Sequence, residues 1–166
     1  MLTFQTDIII RGKKAEKYQT LKNIYDWDLV DIYMMSGVLG FINNKKDIQD
    51  NDSKSMANLP RTTLTNRSNR IEFLYEVITL SEEIESNVDN AIKLAFEDSS
   101  IDHPKKLYKQ MLFDDYAMGG IDILYDMLSK IDYENQVDNI RDIIERYIDY
   151  SNIENKSLQE ILEEET

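Results

Sequence analysis

Residues 29–42, LVDIYMMSGVLGFI, constrain the fold of this chain more than any other stretch. Asp31 is the only charge in the run. Apolar side chains occupy every side of a helical wheel, with Leu29, Ile32, Met35, Leu39 and Ile42 on one side and Val30, Met34, Val38 and Phe41 on the other. A helix that is apolar all round must be covered by other elements. Gly37 and Gly40 each cost about 1 kcal/mol against alanine in a helix interior. Close approach by a neighbouring helix would offset that cost. At 14 residues the run is shorter than the roughly 17–25 needed to span a bilayer. The expected architecture is therefore all-α: a compact multi-helix bundle around this central buried helix, with a short extended arm or strand at Leu2–Ile10.

A chain of 166 residues reads as a single helical domain able to bury roughly 70% of its unfolded surface. The absence of cysteine excludes disulfides and thiolate metal sites. With no signal-peptide pattern at the start, a cytoplasmic location is expected. Net charge is −13, distributed unevenly: residues 1–70 hold 11 Lys/Arg and 8 Asp/Glu (+3), and residues 71–166 hold 8 and 24 (−16). Such asymmetry marks either an interaction surface or acidic coats on the outer faces of helices.

Helical spacing predicts a first helix over about Lys13–Ile24, with Ala15, Tyr18, Leu21 and Ile24 inward and Gly12 at the junction before it. Asp26 or Asp28 supplies the N-cap of the central helix. From Asn43 to about Asn66 the periodicity is lost, and the polar stretch reads as a flexible surface loop. Its end carries Lys54, Arg61, Arg67 and Arg70 among Ser, Thr and Asn, a mixture suited to gripping phosphate oxygens or an acidic partner. No aromatic residues are interleaved to stack bases.

A helix is then expected from Asn69, with Glu72 completing a capping box and Ile71, Leu74, Tyr75, Ile78 and Leu80 inward. Ser86 begins another, with Val88, Ala91, Ile92, Ala95 and Phe96 on its stripe, ended by Asp98-Ser99-Ser100. Asp102-His103-Pro104 opens a further helix carrying Leu107, Tyr108, Met111, Leu112 and Tyr116. Gly119-Gly120 then interrupts the helical pattern, and a break or sharp bend is expected there, since a helix through both glycines would lose about 2 kcal/mol. Whether bent or straight, Tyr116, Gly119 and Gly120 would let the backbone of residues 29–42 come close. The tail reads as a helix over Tyr133–Tyr150 and a second one opened by the Ser157–Glu160 capping box.

Candidate chemistry is sparse. His103 is the sole histidine, placed to cap a helix or face solvent, so neither a zinc site nor a Ser–His–Asp arrangement is expected. The arginine-then-histidine spacing of helical ribonuclease toxins is absent. Asp114, Asp115, Asp122 and Asp126 surround the glycine pair, and the last three share a face if the helix is continuous. They read as an acidic interface for a basic partner before they read as a divalent-cation site, and no metal or cofactor is expected.

The order of an apolar helix containing Ser36-Gly37-Val38-Leu39-Gly40-Phe41, a variable loop, an acidic helical segment and Tyr116-Ala117-Met118-Gly119-Gly120-Ile121 followed by Leu124 and Leu128 resembles small proteins encoded alongside bacterial DNA phosphorothioation (Dnd) modification and restriction genes. In that group a Tyr-Ala-x-Gly-Gly element followed by apolar positions is characteristic. The likeness spans about residues 20–130. It implies a non-catalytic accessory subunit of an anti-phage defence locus, docked on larger protein subunits, with no catalytic residues to carry over. Three functions follow as expectations. The first is an interaction subunit of a defence or DNA-processing assembly, with nucleic acid reached through residues 54–70 and no membrane involved. The second is an acidic phage-type inhibitor or DNA mimic that binds a basic nuclease. The third is a carboxylate-metal hydrolase.

Overall fold

The structure, a computed structural model, describes residues 4–50, 54–96 and 104–129. The chain divides after Ser129 into two units, and every described residue belongs to the first. The tail helices expected over Tyr133–Tyr150 and from Ser157, and the segment containing Asp98, Asp102 and His103, lie outside the described residues.

Mostly helical, the first unit runs β1 (Ile8–Arg11), α1 (Gly12–Tyr25), α2 (Leu29–Ile42), β2 (Met56–Leu59), α3 (Arg61–Asn66), α4 (Ser68–Glu83), α5 (Val88–Phe96) and α6 (Pro104–Leu128). The central helix is α2, with the bounds its apolar run implies. Asp28 caps it, its carboxylate accepting from the Val30 N–H at 2.8 Å. At its far end Asn43 and Asn44 turn the chain, Asn44 in the left-handed region at φ 47°.

Residues 43–66 are not the long loop that their polarity implies. β2 lies inside this stretch and pairs antiparallel with β1, Ile8 opposite Leu59 and Ile10 opposite Ala57. Ile10, Ala57 and Leu59 point into the core, so the short ribbon gains its stability from the helices beneath it, as two strands alone are marginal. α3 follows and runs into α4 through Arg67, which ends one and begins the other. For that reason the expected Asn69/Glu72 capping box does not form. α4 has no side-chain cap, and the Arg67 carbonyl accepts from Arg70 and Ile71 instead.

α6 also departs from expectation: it is continuous through Gly119 and Gly120. The compensation is tertiary. A Cβ at Gly40 would overlap the Tyr116 carbonyl oxygen, one at Gly120 the Ser36 carbonyl oxygen, and one at Gly119 the Lys45 carbonyl oxygen. Gly37 leaves room for the tip of the Phe113 ring. The two helices therefore meet backbone to backbone, and the chain leaving α2 follows α6, with the Asp47 N–H donating to the Asp115 carbonyl at 3.0 Å. Around this seam lie Tyr18, Leu21, Ile32, Tyr33, Tyr75, Phe113, Tyr116 and Ile121, all buried.

α5 packs on α4, and its small side chains Ala91 and Ala95 are buried. Val88, Ile92 and Phe96 from its expected stripe are exposed, as are Leu107 and Met111 at the start of α6. Gly→Ala in a helix ordinarily adds about 1 kcal/mol of stability. At Gly40 and Gly120 the sign should reverse. Urea unfolding of Gly40→Ala and Gly120→Ala is expected to show losses of about 2–3 kcal/mol, because the new methyl group meets backbone, which cannot step aside.

Candidate functional site

The basic positions do different jobs. Arg67, at the α3–α4 junction, pairs with Asp31 in the first turn of α2, its Nε 3.2 Å from Oδ1 and its Nη2 3.4 Å from Oδ2. The lone charge of the central helix is thereby matched. Arg61 donates its backbone N–H to Asp7 at 2.7 Å, and Asn58 donates to the other oxygen of that carboxylate. Lys54 is exposed ahead of β2, and Arg70 is exposed on α4.

The acidic positions do not form one free surface. Because α6 is continuous, Asp115, Asp122 and Asp126 do share a side of it. Asp122 is enclosed by lysines: Lys14 at 2.8 Å and Lys17 at 2.9 Å from α1, and Lys45 at 3.5 Å from the segment after α2. Burial acts to raise the Asp122 carboxyl, but the ammonium groups outweigh it and hold it below its ordinary value. Lys14 also reaches Asp47 at 2.7 Å. Asp115 is half-buried, Asp126 exposed. Among the described residues, no group of three or more His, Cys, Asp or Glu side chains is placed to hold a metal ion.

Asp114 is half-buried, with its carboxylate turned toward the core. It accepts a hydrogen bond from the Tyr33 hydroxyl at 2.6 Å, and the Tyr33 and Tyr75 hydroxyls are 3.1 Å apart. Both tyrosines are buried and both flank Phe113, each with its ring centroid 5.0 Å away. Burial pushes the Asp114 carboxyl up to about 6. The Tyr33 hydrogen bond opposes the rise, the Asp115 charge adds to it, and Gln110 opposes it. This buried chain of hydroxyls was not anticipated. Its signal was Tyr33 itself, a phenol inside an otherwise apolar run, which needs a polar partner when buried.

An open apolar groove lies between α2 and α4. Met34 of α2 and Asn69, Arg70, Phe73 and Leu74 of α4 line a space of about 400 Å³. Phe73 is 62% exposed, a large commitment of apolar surface to solvent. Arg70 supplies the cation beside it. Met34 and Leu74, in the groove wall, are sequence neighbours of the buried Tyr33 and Tyr75.

Compared with known protein families, curated proteins and solved structures, the chain matches none of them. No helix among the described residues is long and apolar enough to cross a membrane.

Two outcomes test this electrostatic arrangement. Asp114 holds its proton more tightly folded than unfolded, so its contribution to stability is full below its ordinary value of 3.8 and is lost as pH rises through about 6. Asp114→Asn should therefore be more stable than the parent at pH 7.5, by on the order of 1–3 kcal/mol, and the advantage should vanish near pH 4 in denaturant titrations. Asp122 has the opposite sign: its contribution is present at neutral pH and is lost as pH falls below the ordinary carboxylate range. Asp122→Asn should cost about 1–2 kcal/mol at pH 7, measured in the same way.

Proposed function

We propose that this chain is a non-catalytic interaction subunit of a bacterial anti-phage defence or DNA-processing assembly, acting in the cytoplasm by docking on a larger protein. The observation that carries the reading is the groove between α2 and α4, where the exposed Phe73 stands beside Arg70, with half-buried Leu74 and buried Met34 lining the floor. Exposed aromatic surface next to an arginine is the composition of an interface centre. The strip suits the apolar side of a partner helix that carries a carboxylate to meet Arg70. The Tyr116-Ala117-Met118-Gly119-Gly120 element adds the defence-locus context through its likeness to Dnd-associated proteins. In this reading it maintains the seam that holds α2 in place, and the partner-facing groove lies elsewhere.

Contact with nucleic acid would fall to Lys54, Arg61 and Arg70, since Arg67 is engaged with Asp31. The test is co-expression with the products of neighbouring genes, followed by size-exclusion with light scattering. A complex is expected at 0.15 M salt. Phe73→Asp should abolish it while changing unfolding free energy by less than about 0.5 kcal/mol, as befits an exposed position. A chain that elutes alone beside every neighbouring product, or a complex indifferent to Phe73→Asp, would overturn the docking reading.

A further inference from the structure

α5 buries the smaller part of its apolar surface. Ala91 and Ala95 are inward, while Val88, Ile92 and Phe96 remain 54%, 47% and 51% exposed. Single apolar side chains at a surface are ordinary, but these three follow one another at intervals of four and form one ridge along the helix. About half exposed each, they present on the order of 300 Å² of apolar surface, comparable to the largest patch on a typical monomer. The flank of the ridge away from the alanines carries one charge of each sign, Asp89 and Lys93, both exposed and one turn apart. The whole chain carries −13, so two copies repel each other overall. Across α5, whose two charges cancel, they do not.

We propose that α5 is a self-association surface, on which a second copy of this chain lays its own α5 antiparallel about a two-fold axis at Ile92. A two-fold axis requires a surface that is its own complement, and α5 is one in both shape and charge. Ile92 meets Ile92 of the second copy, and Val88 meets Phe96 of the second copy, the smaller side chain against the larger. Ridges of four-residue spacing pack on one another at about 50°. That crossing concentrates contact near the middle and suits a helix of nine residues. In an antiparallel pair each flank adjoins the same flank of the other helix, so Asp89 of each copy comes beside Lys93 of the other. A parallel pair would set Asp89 level with its own copy and leave both ion pairs unmade. A basic helix of another protein would meet Lys93 with like charge, and an acidic one would meet Asp89 so; a second α5 matches both. The surface is small beside the roughly 800 Å² that each side contributes to a standard interface. The pair is therefore weak and reversible, with a dissociation constant on the order of 100 µM. It does not rest on the docking function proposed above.

The experiment is sedimentation equilibrium on the full chain from about 5 to about 500 µM, concentrations either side of that constant, in about 0.15 M salt. The apparent mass should climb from that of one chain toward that of two. Ile92→Asp, at an exposed position, should leave the thermal unfolding midpoint unchanged and hold the chain monomeric throughout. Asp89→Lys and Lys93→Asp should each weaken pairing by about tenfold, since like charges then face each other across the two-fold axis. The first of these lowers the net charge and the second raises it, so a shared loss is local in origin. Both substitutions in one chain should restore pairing at the parent's net charge. Phe73→Asp, which tests docking at the α2–α4 groove, should leave self-association unchanged, so failure of one reading is distinguishable from failure of the other. A chain that stays monomeric at every concentration, association that survives Ile92→Asp, or a double variant no stronger than the single ones would overturn the pairing. Monomer throughout, with a complex to a neighbouring gene product that Ile92→Asp abolishes, would overturn it in favour of an unlike protein on α5.

Discussion

The structure depends on the contact of two peptide backbones. α2 and α6 approach so closely that Gly40 lies against the Tyr116 carbonyl and Gly120 against the Ser36 carbonyl, a distance at which side chains no longer mediate the packing. Such a seam has two effects. It fixes the register of the helices, since sliding either one by a residue would drive a Cβ into a carbonyl oxygen. It also commits both helices to burial on that side, which is why a run as apolar as residues 29–42 remains compatible with a chain that is 31% charged.

α4 joins the same core by a different means. It reaches α2 and α6 through long side chains: Tyr75 in the hydroxyl chain with Tyr33 and Asp114, the Tyr75 ring on Phe113, and Glu82 with Lys46 at 2.6 Å and with the Tyr116 hydroxyl. Contacts of this kind tolerate small displacements that a backbone seam does not. The uneven charge also finds part of its explanation here. Lys14, Lys17, Lys45 and Lys46, from the mildly basic first 70 residues, meet Asp122 and Glu82 from the acidic remainder. Some of the asymmetry is therefore used within the fold to tie α1 and the segment after α2 to α6 and α4, instead of being presented to a partner.

Legibility in the sequence follows the range of the interactions. α2 is readable to the residue because its apolar composition, its Asp28 cap and its Asn43-Asn44 exit are all local. β2 is not: Met56, Ala57, Asn58 and Leu59 alternate outward and inward, but four residues cannot be told from a loop without the partner strand at Ile8–Arg11. The glycine pair was misleading for a related reason. Helix propensity charges its cost locally, while the contact that offsets it is supplied by residues some eighty positions earlier. Of the candidate site, Arg70 and Asp114 were nameable as charged residues, but their settings were not. The groove joins residue 34 to residues 69–74, and the inward turn of Asp114 depends on helix phase relative to two distant tyrosines.

The two modes of attachment bear on where a molecule of this kind can respond to its surroundings. Displacement at the α2–α6 seam would open voids against backbone and expose the most apolar helix in the chain, so that region has one acceptable geometry. The α2–α4 side has an exposed face at Phe73 and is held by side chains, the Tyr75–Tyr33–Asp114 hydroxyl chain and the Tyr75 ring on Phe113. The groove thus has Met34 of α2 on one side and Phe73 and Leu74 of α4 on the other. This division gives the groove a defined position, because the glycine seam that fixes α2 against α6 also fixes the wall that Met34 supplies.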